Sequence, residues 1–240
     1  MPDIDFPASD GVLRGYLATP AGAGPWPGVV VVHEAFGLTD DIRRQADRFA
    51  DHGYLALAPD LYSWASTPRC LVATFKAMAA GRGRAIDDLQ RARRFLADRG
   101  DCTGNVGVIG FCLGGGFALL VAAEGFAAAA PNYGQLPRQP ERVLAGSCPI
   151  VASYGAKDWT LRGAAPKLER TLARLSVPHD VKEYADAGHG FLFEHHGKVK
   201  LMEPWMVRYD AAAADDAWRR IFDFFDEHLK VSGEDTGGAA

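Results

Sequence analysis

Apolar residues in this chain follow two rhythms. Short unbroken runs (V-V-V-V-H from Val29, Y-L-A-L-A-P-D from Tyr54, N-V-G-V-I-G from Asn105, F-A-A-A-A-P-N-Y-G from Phe126, P-I-V-A-S-Y-G from Pro149) are too short for ordinary helices and predict strands buried on both faces. Val12–Ala18 alternates instead, as a half-buried strand does, and V-K-E-Y-A from Val181 predicts one more. The second rhythm is helical. Thr39 reads as an N-cap, acids fill the first turn, Ile42, Ala46, Phe49 and Ala50 make an apolar stripe, and Gly53 closes the segment. Further helices are expected over 85–98, 112–124, 161–175 and 211–229, whereas 63–82 is irregular with one short helix over 71–80. The tail 232–240, S-G-E-D-T-G-G-A-A, is expected to be disordered.

Strands alternating with helices predict an α/β fold: a mostly parallel twisted sheet with helices on both faces. No repeat, linker or composition break divides the chain, so one domain over 1–231 is expected. With 48% hydrophobic residues in 240 there is enough apolar material for one large core. The net charge of −4, with no basic run, argues against nucleic acid and anionic membrane surfaces. From Ile109 to Pro131 only Glu124 is charged, close to a membrane-spanning length, but the glycines at one end predict a buried helix followed by a buried strand. The N-terminus has no secretory pattern, which predicts a cytoplasmic protein. Cys70, Cys102, Cys112 and Cys148 are widely spaced without a C-x-x-C, so neither a disulfide framework nor a metal site is expected.

The chemistry concentrates in V-I-G-F-C-L-G-G-G-F-A-L, Val108 to Leu119. Four glycines in seven residues weaken helix and strand alike, so close backbone passage must require them. Gly110-x-Cys112-x-Gly114 is a cysteine version of the nucleophile elbow, a strand-to-helix turn so sharp that the flanking positions must be small. The plainer reading is a core cysteine among packing glycines. A thiol nucleophile needs a base and an orienting acid, which follow it in that order in this architecture. His189, in A-D-A-G-H-G-F after a strand, is the candidate base. His179 and His228 fit surface roles, and His195–His196 has no partner cluster to make it a metal site. Asp158, directly after the Y-G strand end, is the candidate acid; Asp186 lies too near His189 in sequence to face it. The backbone N–H groups of Leu113 and of Ala35, in H-E-A-F-G-L, are the candidate oxyanion donors. Glu34, at the end of a buried strand, must be paired or used.

At these residues the sequence resembles the dienelactone hydrolase family of α/β-hydrolases. H-E-A-F-G-L, A-P-D-L-Y, G-F-C-L-G-G-G, the Asp158 loop and G-H-G-F recur as family landmarks, in order, from about residue 10 to 230. The resemblance implies a Cys112–His189–Asp158 triad without metal or cofactor, and a Glu34 that contacts the resting thiol and helps activate it. It places Phe36 and Tyr133 in the substrate pocket, with Trp159 beside them. One departure stands out. The family holds a substrate carboxylate with arginines, one of them four residues after the histidine, where this chain has Phe193; Arg84 (or Arg82) is the candidate for the other cation. The expected activity is hydrolysis of a small ester or enol lactone through an acyl-thioenzyme. The alternatives are a carboxylesterase or thioesterase for a less acidic substrate, and a redox-sensing or binding protein on the same fold. A monomer is compatible with all three.

Overall fold

A computed structural model of the chain describes residues 3–65, 67–196 and 208–230; the expected disordered tail lies outside them. Eight strands form one sheet: β1 (Asp3–Pro7), β2 (Val12–Ala18), β3 (Trp26–Val32), β4 (Leu55–Pro59), β5 (Cys102–Phe111), β6 (Ala128–Asn132), β7 (Ile150–Gly155) and β8 (His179–Tyr184). Their order is β1-β2-β4-β3-β5-β6-β7-β8, with β1 and β2 antiparallel at one edge and β3 to β8 parallel.

The valine run of β3 shows why the sheet is covered twice. Val30 and Val32 face one core with Leu89, Leu96, Phe117 and Leu168, while Val29 and Val31 face the other with Ile42, Phe49, Trp218 and Phe225. Successive side chains point to opposite faces, so a strand buried on both has no polar positions to offer. Helices α1 (Asp40–Asp51) and α7 (Ala211–Leu229) supply the second core; α3 (Arg84–Ala97), α4 (Leu113–Val121) and α6 (Ala164–Arg174) supply the first, with the short α5 (Pro140–Val143) at its margin. Thr39 caps α1 by accepting the Ile42 N–H, and Gly53 follows in the left-handed region, as its sequence predicts.

Two expectations need correction, and the reading of the long apolar stretch holds. Helix α2 spans Thr67–Ala80, not 71–80; Pro68 disguises its first turn, where a missing N–H costs nothing. The helix expected over 161–175 starts at Ala164, after a 3-10 turn over Trp159–Leu161 and Gly163 at φ 75°. The apolar stretch from Ile109 to Pro131 divides into the end of β5, helix α4 and strand β6. Among the described residues no helix is long and apolar enough to cross a membrane.

Candidate active site

The parallel register brings the carboxyl ends of β3, β5, β6, β7 and β8 into one row, where loops can converge over the sheet. Cys112 sits at the centre, between β5 and α4, with φ 54° and ψ −114°. A non-glycine residue there is strained and persists only where its surroundings fix it. Here the Cys112 N–H donates to the Asn132 carbonyl at 3.1 Å and the Gly116 N–H donates back to the Cys112 carbonyl at 3.2 Å. The flanking glycines are required by space. A Cβ on Gly110 would stand 2.7 Å from the Gly115 nitrogen, and one on Gly114 would stand 2.7 Å from the His33 carbonyl oxygen and closer to that of Val32. Gly115 meets the Asn132 carbonyl and Gly134 in the same way.

Asp158 follows β7 and is buried. One carboxylate oxygen accepts from the Thr160 N–H (2.9 Å) and hydroxyl (2.6 Å), and the other accepts from His189 Nδ1 at 2.6 Å. With both oxygens engaged the carboxylate has one orientation. Burial works against its ionised form, but the bonds from His189 and Thr160 outweigh it and hold its pKa below the usual value. Burial likewise works against protonated His189. The hydrogen bond with Asp158, and then the hydrogen bonding and charge of the Cys112 sulfur, prevail and push the imidazole up to about 10. Cys112 therefore acts on the same ring that Asp158 orients. The β7 and β8 loops that carry these groups touch: Lys157 N–H donates to the Ala187 carbonyl at 2.9 Å, and Gly155 leaves room for that carbonyl.

Leu113 opens α4, where a helical N–H has no partner within its helix. The Ala35 loop is held by the Tyr62 hydroxyl on the Ala35 carbonyl (3.2 Å) and by Gly37 at φ 83°. Behind it, neutral His33 takes the Leu61 N–H at Nε2 (3.2 Å) and donates from Nδ1 to the Glu34 carbonyl (2.6 Å); burial keeps its pKa low. The Glu34 carboxylate is paired with the buried His195 Nε2 at 2.9 Å, rather than with the thiol as the resemblance implies. His196 pairs with Asp41. The E-H-H motif thus tethers its loop to two carboxylates, a role the sequence reading missed.

A cleft of about 490 Å³ opens over these groups, lined by Ala35, Cys112, Leu113, Tyr133, Asp158 and His189. Its wall adds Phe75 and Met78 of α2 with Trp159 and Leu161; Phe75 is 50% and Trp159 70% exposed. Three expected pocket residues do not line it. Phe36 stands outside the lining, 38% exposed. Phe193 is buried, edge-on to Phe111 with ring centroids 5.1 Å apart. Arg84 is bound to Asp88 (3.3 Å) and the Asp10 carbonyl (2.8 Å) and lies over Trp64. Two cations unforeseen from the sequence do line it. Lys157 is paired with Asp186. Arg208 is fixed by its N–H on the His189 carbonyl (3.2 Å) and makes no ion pair among the described residues. It lies two residues before the Asp210 cap of α7, where no strand end or glycine marks it.

Comparison with known proteins adds the family. The dienelactone hydrolase family's sequence profile matches residues 13–229. A carboxymethylenebutenolidase from Rhodococcus opacus is 30% identical, covering 90% of this chain and 87% of its own length. Protein Usf of Aquifex pyrophilus is 32% identical over 94% of this chain and 98% of its own. A dienelactone hydrolase-like promiscuous phosphotriesterase from metagenomic libraries superposes with a TM-score of 0.81 at 27% identity, covering 95% of this chain and 98% of that one.

Proposed function

The chain belongs to the dienelactone hydrolase family and is a hydrolase acting on ester bonds, and from that premise we propose that it cleaves a small carboxylic ester or enol lactone through a Cys112–His189–Asp158 triad. The observation that carries this reading is the shared imidazole. His189 is bonded to Asp158 at 2.6 Å and lines the same cleft as Cys112, whose sulfur adds to the rise of its pKa.

His189 takes the proton of the Cys112 thiol as general base, and the N-terminus of α4 adds a favourable dipole where the sulfur carries charge. The thiolate attacks the ester carbonyl carbon; the C–S bond forms and the oxygen takes the charge, accepting from the Leu113 and Ala35 N–H groups. The C–O bond then breaks, and the leaving oxygen takes the proton from His189. Water gives a proton back to His189 and its oxygen attacks the thioester, expelling the thiolate. Asp158, locked by Thr160, keeps the imidazole in the tautomer that both steps need. Glu34, in this reading, leaves His195 to assist the thiol when substrate arrives.

The R. opacus relative makes the carboxymethylenebutenolidase reaction the first candidate. A neutral acyl substrate is the second, favoured by Phe75 and Trp159 on the wall and by Phe193 where the family has an arginine. Dienelactone and a neutral ester of equal size, assayed with wild type and Cys112→Ala, test both. Loss of both activities on removing the thiol is expected; retained turnover would end the proposal, and the ratio of the two substrates chooses between the readings.

A further inference from the structure

Tyr133 is built into the site more rigidly than a lining residue needs. It follows β6 with φ 38°, in the left-handed region, fixed there by its N–H on the Ser153 carbonyl at 2.8 Å. The residue is 1% exposed, yet among the described residues its hydroxyl has no hydrogen-bond partner. Other tyrosines do find acceptors: Tyr16 on Asp47, Tyr62 on the Ala35 carbonyl, Tyr154 on the Gly134 carbonyl and Tyr184 on Asp216. A buried unpaired hydroxyl is costly and uncommon, so its retention calls for a function.

Tyr133 stands among the reacting groups. Tyr133 lines the cleft with Cys112, and its ring stands edge-on to His189 with centroids 5.1 Å apart. Burial first, then the charges of Glu34 and Cys112, raise its pKa well above the ordinary value, so it remains an O–H donor. Position decides what it donates to. Ala35 follows β3, on one side of β5; Tyr133 follows β6, on the other side, together with the strands that carry Asp158 and His189. The oxyanion already has two backbone donors in the proposed mechanism. The leaving oxygen, which receives the proton from His189, has none besides that imidazole.

We propose that Tyr133 is a catalytic residue whose hydroxyl donates a hydrogen bond to the leaving oxygen as the C–O bond breaks. The electron pair of that bond goes to the oxygen, His189 supplies the proton, and the tyrosine keeps its own. The inference rests on the Cys112 mechanism above. It matters chemically because a thiolate is easily expelled in place of a poor leaving group, and a second donor shifts that partition towards product.

The test is Tyr133→Phe, assayed for kcat/KM on p-nitrophenyl, phenyl and trifluoroethyl acetate, with thermal melting alongside. With a common acyl group, kcat/KM reports steps through acylation only. Expected is a loss of about 10–100-fold on trifluoroethyl acetate and about threefold at most on p-nitrophenyl acetate, whose leaving group needs no help. The melting temperature should hold or rise, because a buried unpaired hydroxyl is removed. Equal losses on all three esters, no loss on any, or a marked fall in melting temperature would overturn the proposal. If Cys112→Ala keeps turnover, the underlying mechanism fails instead. If that variant is inactive and Tyr133→Phe slows all three esters alike, only the role of Tyr133 falls.

Discussion

Gly114→Ala probes the corner on which the site is built. The added methyl would stand 2.7 Å from the His33 carbonyl oxygen and closer to that of Val32, whereas methyl contacts do not normally fall below 3.0 Å. All of these are backbone atoms at the end of β3, so no side chain can rotate away. Helix α4 and the β3 end must part by roughly 1 Å to restore ordinary contact. Overpacking of that kind costs about 1–3 kcal/mol, and at about 2–4 °C per kcal/mol for a chain of this size the melting temperature should fall by about 2–12 °C. The functional cost is larger, because the Leu113 and Ala35 N–H groups lie on the two sides being forced apart. A misplacement of about 1 Å can lower kcat/KM about 10²-fold. The assay pairs thermal melting with p-nitrophenyl acetate kinetics, and Gly100→Ala serves as control, since a Cβ there meets nothing within 4 Å. If Gly114→Ala melts and turns over like Gly100→Ala, the close approach is not what the glycine serves.

Asp158→Asn should lower kcat/KM by about 10²–10⁴-fold by misorienting the imidazole. Its effect on folding should depend on pH in a definite way. His189 is raised to about 10, so its stabilisation is full below its ordinary 6.5 and fades as pH rises towards 10. Asp158 is lowered, so its share is present above its ordinary 3.8 and fades as pH falls further. Urea titrations across pH should therefore show the largest gap between wild type and variant between 3.8 and 6.5, narrowing on both sides; a gap that widens above neutrality would contradict the assignment. Arg208→Ala should leave p-nitrophenyl acetate within about twofold but slow an ester carrying a free carboxylate about tenfold, the loss of one charge-assisted hydrogen bond. Equal effects on both would remove Arg208 from substrate recognition.

The parallel strands and the corner were legible for a simple reason. A strand buried on both faces must be an unbroken apolar run, and a turn in which two backbones nearly collide must flank its central residue with glycine. Those two constraints are local, so Gly110, Cys112 and Gly114 could be read directly. The wall of the cleft could not. Phe75 and Met78 reach it because α2 docks on α4, with Met78 against Gly116, and that orientation depends on contacts far apart in sequence. Arg84 was misjudged although a signal existed: Asp88 lies one helical turn on, at the spacing of an ion pair. Phe193 and His195 belong to a loop folded against the second core, where ring packing and the Glu34 carboxylate decide their direction. Burial of Glu34 demanded a partner, but nothing in the chain's order said which histidine would supply it.

The sulfur of Cys112 as the acyl carrier can be tested by acid-quenching the wild-type protein during the p-nitrophenol burst with p-nitrophenyl acetate and mapping the acetyl group by peptide mass spectrometry. The acetyl group is expected on Cys112, and on no residue when Cys112→Ala is treated in the same way. A burst of p-nitrophenol with Cys112 unmodified, or with the acetyl group on another side chain, would contradict the account.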